Sequence, residues 1–521
     1  MMSTIDWGVI LIYFVLISLY AIYVSFKETR SSKDYFLAGK KLSWVLIGMS
    51  LFGSNICATN MVGLAGSAYT MGMGIGNYEW TAIICLVLLG VIFMPVYLKA
   101  GITTLPEYLE KRYGVSSRIF LAFVQIFISI VLLIPVALYA GSLIFYQLLG
   151  WPIWIGVAVL LLIAGTYTVL GGLNVVVKTD LIQSSILIIT SLILLIIALT
   201  HVGGFNVLST VSPDKFKMVF PASDPNLPWP GMFIGITFVG IYYFCNNQII
   251  VQRALGAKSL KDARWGVLLC GFLKIASVFL WVLPGIIAGV LFPNLPKPDL
   301  AYPYLMTTLL PPGLLGLAVC ALLSAFMSTI DSTLNSTSTI IVNDLYKRFI
   351  NPEAADKTIL RMARIATIGV MILSILNVFL VSRSEHLFIY IQEIASVITI
   401  PIVAVFVIGV FWKRATSTGA ISTLLMGSCI ALLAWAGFIP ELSELHFLNR
   451  AIVMFFLCSL LFIGISTITP RPPAEKYEDL IYRRDLSTEL SQYSEVPLCA
   501  DYRLWSIILL FLLGILWYIF K

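Results

Sequence analysis

Between Ser43 and Tyr69 the chain reads SWVLIGMSLFGSNICATNMVGLAGSAY. The stretch is long and apolar enough to cross a bilayer, which takes about 20 residues of helix. Its middle nonetheless holds the glycines Gly53, Gly63 and Gly66 and the small polar residues Ser50, Ser54, Asn55, Thr59 and Asn60. Glycine weakens a helix interior by about 1 kcal/mol relative to alanine, and a polar group in hydrocarbon needs a partner. Two structures answer to this pattern. In one the helix unwinds inside the membrane, so that freed carbonyls can coordinate an ion or a solute. In the other a continuous helix uses its small residues to seat a close helix–helix contact.

The rest of the chain must supply the surroundings for such a stretch. Of 521 residues, 59% are hydrophobic and 11% charged, and mean hydropathy is +0.96. These values exclude a soluble or a disordered protein and point to a polytopic membrane protein. The N-terminus, MMSTIDWGV, has no basic segment and is read as lacking a cleavable signal. The eight cysteines have neither metal-ligand nor disulfide spacing and read as small buried hydrophobes.

Fourteen apolar spans are expected, at about 5–26, 43–69, 77–98, 119–149, 151–170, 176–200, 229–256, 265–292, 312–345, 360–381, 387–412, 416–438, 446–468 and 503–520. With the N-terminus outside, cytoplasmic loops hold 26 of the 33 Lys and Arg. Outer loops hold Lys215, Lys217, Lys297, Arg383, Arg450 and Lys521, which leaves only Lys274 inside a span. Basic residues concentrate on the cytoplasmic side of membrane proteins, so both termini are expected to be extracytoplasmic. The net charge of +7 is thereby a matter of topology and not of nucleic-acid binding.

Parity gives an internal repeat. Spans two to six begin inside and spans seven to eleven begin outside, so two five-span units would be inverted copies, a recurring transporter design. The seventh span carries its own polar interruption, Tyr242 to Gln248, at the position matching the interrupted second span. The expected divisions are an N-terminal helix and loop (1–42), a first repeat (43–200), an outer loop (201–228), a second repeat (229–412) and C-terminal helices (413–521) with a cytoplasmic loop at 470–502.

Ionisable residues inside a membrane cost a few kcal/mol each and are functional candidates. Here they are Glu79, Asp180, Lys274, Asp331 and Glu393. Glu79 and Lys274 form the natural pair, either as a salt bridge fixing two helices or as donors and acceptors for a hydroxylated solute. With Gln392 and Asn60 they would ring a sugar, which offers many directed hydrogen bonds and little apolar area. The ninth span is dense in hydroxyls, and Ala325, Ser328 and Thr329 fall at i, i+3 and i+4 on one helix face. One carbonyl and two hydroxyls from that face, with two carbonyls from an unwound helix, make a neutral oxygen shell suited to sodium. A helix–helix contact with back-bonded hydroxyls reads the same way.

Several segments together resemble a known family. They are DYFLAGK (Asp34–Lys40), SLFGSNI (Ser50–Ile56), NYEW (Asn77–Trp80), TTLPEYLEKRYG (Thr103–Gly114), YTVLGGLNVVVKTDLIQ (Tyr167–Gln183), NNQIIVQRAL (Asn246–Leu255), NSTST (Asn335–Thr339) and FWKR (Phe411–Arg414). In order, they resemble the solute:sodium symporters, and within them the sodium/glucose cotransporter branch. The resemblance implies an all-α polytopic membrane protein of 14 transmembrane helices with a LeuT-like 5+5 inverted-repeat core and discontinuous helices. It implies sodium ligands at the carbonyls of Gly53, Ile56 and Ala325 and the hydroxyls of Ser328 and Thr329, with Asp180 as an acid on the ion path. Sugar contacts fall on Asn55, Asn60, Glu79, Lys274 and Gln392, with Tyr243 as an inner gate.

Departures from the family pattern are Gly53 for Ala, Asn60 for His or Gln, Phe244 for Trp, and Asp331 and Glu393 for small hydroxyl residues. The expected function is sodium-coupled import of a hexose such as glucose or galactose across the cell membrane by alternating access. The alternatives are myo-inositol, another polyol or organic solute, and a solute-gated sodium sensor or leak. No enzyme chemistry, nucleic-acid partner or obligate protein partner is expected; the partners are solute, sodium and lipid.

Overall fold

The computed structural model describes residues 2–28, 31–56, 58–381, 387–483 and 501–521. Those residues form helices and connecting turns; their one β-type contact is an isolated bridge from Leu42 to Ala257. The elements that frame the site are α1 (Thr4–Glu28), α2 (Trp44–Asn55), α3 (Ala58–Met71), α4 (Asn77–Leu88), α5 (Leu105–Tyr113), α6 (Val115–Ile128), α7 (Ile134–Leu149) and α8 (Ile153–Val202). They continue as α9 (Ile236–Ile241), α10 (Gln248–Leu255), α11 (Leu260–Ser277), α12 (Leu314–Ile340), α13 (Asp356–Val381), α14 (Leu387–Phe411), α15 (Ser417–Trp435), α16 (Phe447–Ile468) and α17 (Tyr502–Ile519).

Eleven described helices are long and apolar enough to cross a bilayer, and twelve when the bent pair Gly231–Asn246 and Gln248–Leu255 counts as one more. The difference from the fourteen expected spans arises at two joints. Helix α8 runs 50 residues without a gap, about 75 Å at 1.5 Å per residue, against a hydrocarbon thickness of about 30 Å. Its hydrogen bonding carries across Gly172, where φ 58 and ψ −151 turn the chain. Helix α3 and the span after it are likewise continuous from Met61 to Ala100, past Gly72 at φ +77.

Both expected interruptions are present. Helix α2 ends at Asn55; Ile56 follows with ψ 81, and helix resumes at Ala58. Residues Tyr242–Asn246 form a π-helical turn, Asn247 is extended (φ −103, ψ 128), and α10 departs at 46°. The sequence supplies the restart: the Asn247 side chain accepts from the Ile249 N–H at 2.9 Å, a cap for the new helix. The glycines around the first break also make close contacts, so the two readings of that stretch coexist. A Cβ on Gly48 would stand 2.8 Å from the Gly266 carbonyl, and one on Gly53 would collide with Ser184 Oγ.

Charge concentrates at one end of the bundle. Arg112 on α5 donates to the carbonyls of Gly409, Trp412 and Ala415 and so covers the end of α14. Arg118 donates to Asp344 at 2.8 Å and to Glu110, which also receives Arg348 at 2.8 Å. One expectation is corrected here. Lys274 is not the only basic residue inside a span, because Arg253 on α10 is 1% exposed and fully enclosed by helices. Arg253 falls within the expected span 229–256 although it counts there with the cytoplasmic residues; carboxylate and hydroxyl partners keep it inside.

Gly172→Ala tests the joint in α8. A Cβ there would lie 2.5 Å from the Tyr35 carbonyl at a backbone conformation reserved to glycine, so a loss of about 1–3 kcal/mol is expected. Thermal unfolding in detergent should shift down for Gly172→Ala and not for Gly369→Ala, which has no neighbour within 4 Å of its Cβ. Equal midpoints would contradict the geometry.

Candidate functional site

The two breaks face a single cavity of about 1170 Å³, counting the open water in its mouth. Its lining comes from α2, α4, the end of α6, the turn before α7 and the start of α7, α9 with the following break, α11, α12 and α14. Asn55, Glu79, Tyr243, Lys274 and Gln392 all border it, as does Thr329. Asn60 lies on α3, but its side chain is outside the described residues, as is Cys57. Ile128, Leu132, Val136, Ile236 and Val239 make an apolar wall. The polar groups therefore gather on the α2, α4, α11 and α14 side.

Lys274 Nζ donates to Glu79 Oε2 at 2.6 Å, and the residues are 1% and 4% exposed. The pair joins α4 to α11, and Trp80 Nε1 donating to the Ile275 carbonyl at 3.4 Å reinforces that contact. The Phe244 ring lies 5.9 Å from Lys274 Nζ, so the ammonium also faces an aromatic surface. A buried ion pair of this kind is electrically neutral, and its remaining lone pairs and N–H groups point to hydrogen bonding.

Below the cavity stands a second polar cluster. Asp180 on α8 accepts from Ser328 Oγ at 2.5 Å, Ser50 Oγ at 2.5 Å and Ser54 Oγ at 3.3 Å. Arg253 reaches the same carboxylate at 3.4 Å and donates to Ser50 at 2.7 Å, to Ser54 at 2.6 Å and to Ser332. Asp331, also fully buried, accepts from Tyr167 OH at 2.8 Å and from Ser332 at 3.1 Å. The guanidinium thus meets Asp180 directly and is linked to Asp331 through Ser332.

Gly53 and Ser328, two of the expected sodium ligands, are neighbours at the edge of this cluster. Helix α12 packs against both α2 and α3, and a Cβ on Gly53 would lie 3.6 Å from Ser328 Oγ. Ser328 gives its proton to Asp180, and Thr329 gives its proton to the Ala325 carbonyl at 3.1 Å. A hydroxyl that has donated keeps two lone pairs, so both oxygens remain able to face a cation. Ile56, with its N–H bonded to Phe52, ends α2 at the break.

Sequence reasoning left out Arg253, Tyr167 and Ser332. The signal for Arg253 was present, a charged residue at the end of an apolar run beside hydroxyl-rich helices. Glu393 pairs with Arg450 on α16 at 3.7 Å and does not line the cavity.

Comparison with known proteins fits this geometry. The sequence pattern of the sodium:solute symporter family matches residues 35–427. The human sodium/myo-inositol cotransporter is 33% identical, over 91% of this chain and 75% of that protein. The rat sodium/glucose cotransporter 2 is also 33% identical, over 93% of this chain and 82% of that one. Among solved structures, a substrate-bound outward-open Na+-coupled sialic acid symporter aligns with a TM-score of 0.81 at 24% identity, covering 90% of this chain and 99% of that one. A nucleobase-cation-symport-1 family transporter aligns with a TM-score of 0.59.

Removing one partner of a buried ion pair leaves a charge uncompensated and costs about 3–5 kcal/mol. Lys274→Gln should therefore lower the thermal midpoint more than the double variant Glu79→Gln with Lys274→Gln. Strictly additive shifts in that cycle would show that the two groups do not depend on each other.

Proposed function

The chain belongs to the sodium:solute symporter family, whose members couple solute movement to sodium, and on that premise we propose that its solute is a neutral sugar or cyclic polyol. The observation that carries this reading is the Glu79–Lys274 pair inside the cavity. A carboxylate beside an ammonium cancels net charge, so an anionic solute gains no field there, while hydroxyls gain both an acceptor and a donor. Asn55 and Gln392 add amide groups, and the apolar wall suits the C–H face of a ring. A hexose such as glucose or galactose is the first choice and myo-inositol the second, in keeping with relatives of both names at equal identity.

Sodium, the co-transported ion, would take the carbonyls of Gly53, Ile56 and Ala325 and the hydroxyls of Ser328 and Thr329. Its binding ties the broken helix α2–α3 to α12 and leaves the cavity open to solute. Solute engages Asn55, Glu79, Lys274 and Gln392 above Tyr243, with Asn60 adjoining, and the bundle rocks to expose the opposite side. Sodium then leaves past Asp180, drawn by the membrane potential at about 2.3 kcal/mol per charge per 100 mV.

We assign fourteen crossings by dividing α8 at Gly172 and the Met61–Ala100 run at Gly72. Residues 43–200 and 229–412 then form inverted five-helix units. They are flanked by 1–42, the outer loop 201–228 and the C-terminal 413–521 with a cytoplasmic loop at 470–502. Both termini would be extracytoplasmic, in the cell membrane.

Uptake of labelled hexoses and polyols into proteoliposomes, with and without a sodium gradient, tests the reading. Accumulation only with sodium is expected, and labelled solute should exchange in counterflow; a sensor or leak would show neither. Ser328→Ala and Thr329→Ala should each raise half-saturating sodium by about tenfold, equivalent to about 1.4 kcal/mol. Unchanged sodium activation in both refutes the ion site. Glu79→Ala and Gln392→Ala should abolish uptake with the protein still inserted, and retained affinity would move the solute elsewhere.

A further inference from the structure

Helix α1 gives no residue to the cavity, yet it packs along both α12 and α8. From Ile10 to Val24 its buried face is Ile10, Tyr13, Ile17, Ala21 and Val24, spaced by three or four residues. Tyr13 is the one side chain in that stripe with a polar group. Its hydroxyl stands 2.5 Å from Ser324 Oγ on α12. Ser324 gives its own proton to the Cys320 carbonyl at 2.6 Å, so Tyr13 is the donor of the pair.

A second tie lies two turns earlier. Asp6, 1% exposed, accepts through Oδ1 from the backbone N–H groups of Gly313 and Gly316, both at 2.7 Å. Helix α12 begins at Leu314, and Gly313 before it has no side chain to cap it. A carboxylate from another helix therefore satisfies N–H groups that the first turn leaves open, at the end where the helix dipole favours negative charge. Ser3 holds the other oxygen of Asp6 through its N–H at 2.8 Å and its hydroxyl at 2.7 Å. The ties are Asp6 and Tyr13 on α1, Gly316 and Ser324 on α12, rises of about 10.5 and 12 Å. The two helices thus run parallel and in step.

Ser324 adjoins Ala325 and precedes Ser328 by four residues, one turn of the same face. Ala325, Ser328 and Thr329 keep their mutual spacing because they share a helix. Where they stand relative to Gly53 and Ile56 depends instead on the height and rotation of α12. Apolar contacts tolerate small slides, whereas one polar contact in an apolar seam selects a register.

We infer that α1 is a positioning element of the sodium site. Asp6 sets the height of α12, and Tyr13, acting through Ser324, sets its rotation, so that Ala325, Ser328 and Thr329 face the broken end of α2. Neither residue touches the ion. This inference rests on the assignment of sodium to those ligands.

The experiment measures sodium activation of uptake by full-length wild type, Tyr13→Phe, Ser324→Ala and their double variant in proteoliposomes. The solute is labelled glucose or myo-inositol, whichever wild type accumulates. Half-saturating sodium should rise by about three- to tenfold in each single variant, the reach of one net hydrogen bond. It should rise no further in the double variant, because both changes remove the same bond. Maximal uptake, and half-saturating solute at saturating sodium, should stay within about twofold of wild type. A merely weakened fold would lower maximal uptake and leave half-saturating sodium as it is, and that result overturns the positioning role. Shifts that multiply in the double variant overturn it too, since the two hydroxyls would then act separately. Asp6→Ala should raise half-saturating sodium likewise, and Asp6→Asn, which keeps an accepting oxygen, should restore it.

Ser328→Ala separates this inference from the ion-site reading. If it shifts sodium activation while Tyr13→Phe and Ser324→Ala do not, the ion site stands and the positioning role is overturned. If it too leaves sodium activation unchanged, the ion-site assignment has failed and this inference fails with it. A readout without transport is the rise of the thermal midpoint as sodium is added to purified protein. Its half-effective sodium should shift by the same factor in Tyr13→Phe, and a wild-type response there contradicts the inference.

Discussion

A backbone N–H or C=O cannot be left unpaired in hydrocarbon, and the whole arrangement follows from that rule. Interrupting α2 at Ile56 and the seventh span at Asn247 frees peptide groups near the middle of the bundle. Such breaks survive only where protein or enclosed water surrounds them. The surrounding helices supply that shell: hydroxyls of α12 on one side, α8 with Asp180 on another, and the polar face of the cavity above. The interruption and its enclosure are one feature, because neither is stable without the other.

Charge is handled in two different ways around the breaks. In the cavity, Glu79 and Lys274 neutralise each other directly at 2.6 Å. Below it, Asp180 is surrounded by three serine hydroxyls and approached by Arg253, which also binds two of those serines. The first arrangement leaves hydrogen-bonding capacity for an uncharged guest. The second draws the Ser328 hydroxyl proton toward a carboxylate and leaves that oxygen's lone pairs available, while Ser50 and Ser54 also accept from Arg253. A single helix, α12, takes part in both levels through Thr329 and Ser328.

Much of this was legible in the sequence because it is carried by composition along single segments. Glycines and amides inside apolar runs marked both breaks, and the i, i+3, i+4 spacing of Ala325 with the hydroxyls of Ser328 and Thr329 marked one face of α12. What was not legible depends on chain geometry or on distant partners. Arg253 sits at the edge of an apolar run, and hydropathy cannot tell an enclosed edge from a loop. Its partners Asp180 and Ser332 lie 73 and 79 residues away in sequence. Glu393 has the look of a cavity acid, but Arg450 on α16 claims it. Hydrogen bonding that continues past Gly172 likewise hides a chain turn that glycine alone only hints at.

The central claim is that sodium joins the broken helix to α12 beneath a neutral, polar solute cavity. A structure of the protein in a lipid nanodisc with sodium and glucose or myo-inositol tests it most directly. The account predicts ion density enclosed by the Gly53, Ile56 and Ala325 carbonyls and the Ser328 and Thr329 hydroxyls, with solute against Glu79 and Lys274. An uninterrupted helix through Ile56, or Ser328 turned toward lipid with the ion elsewhere, would contradict it.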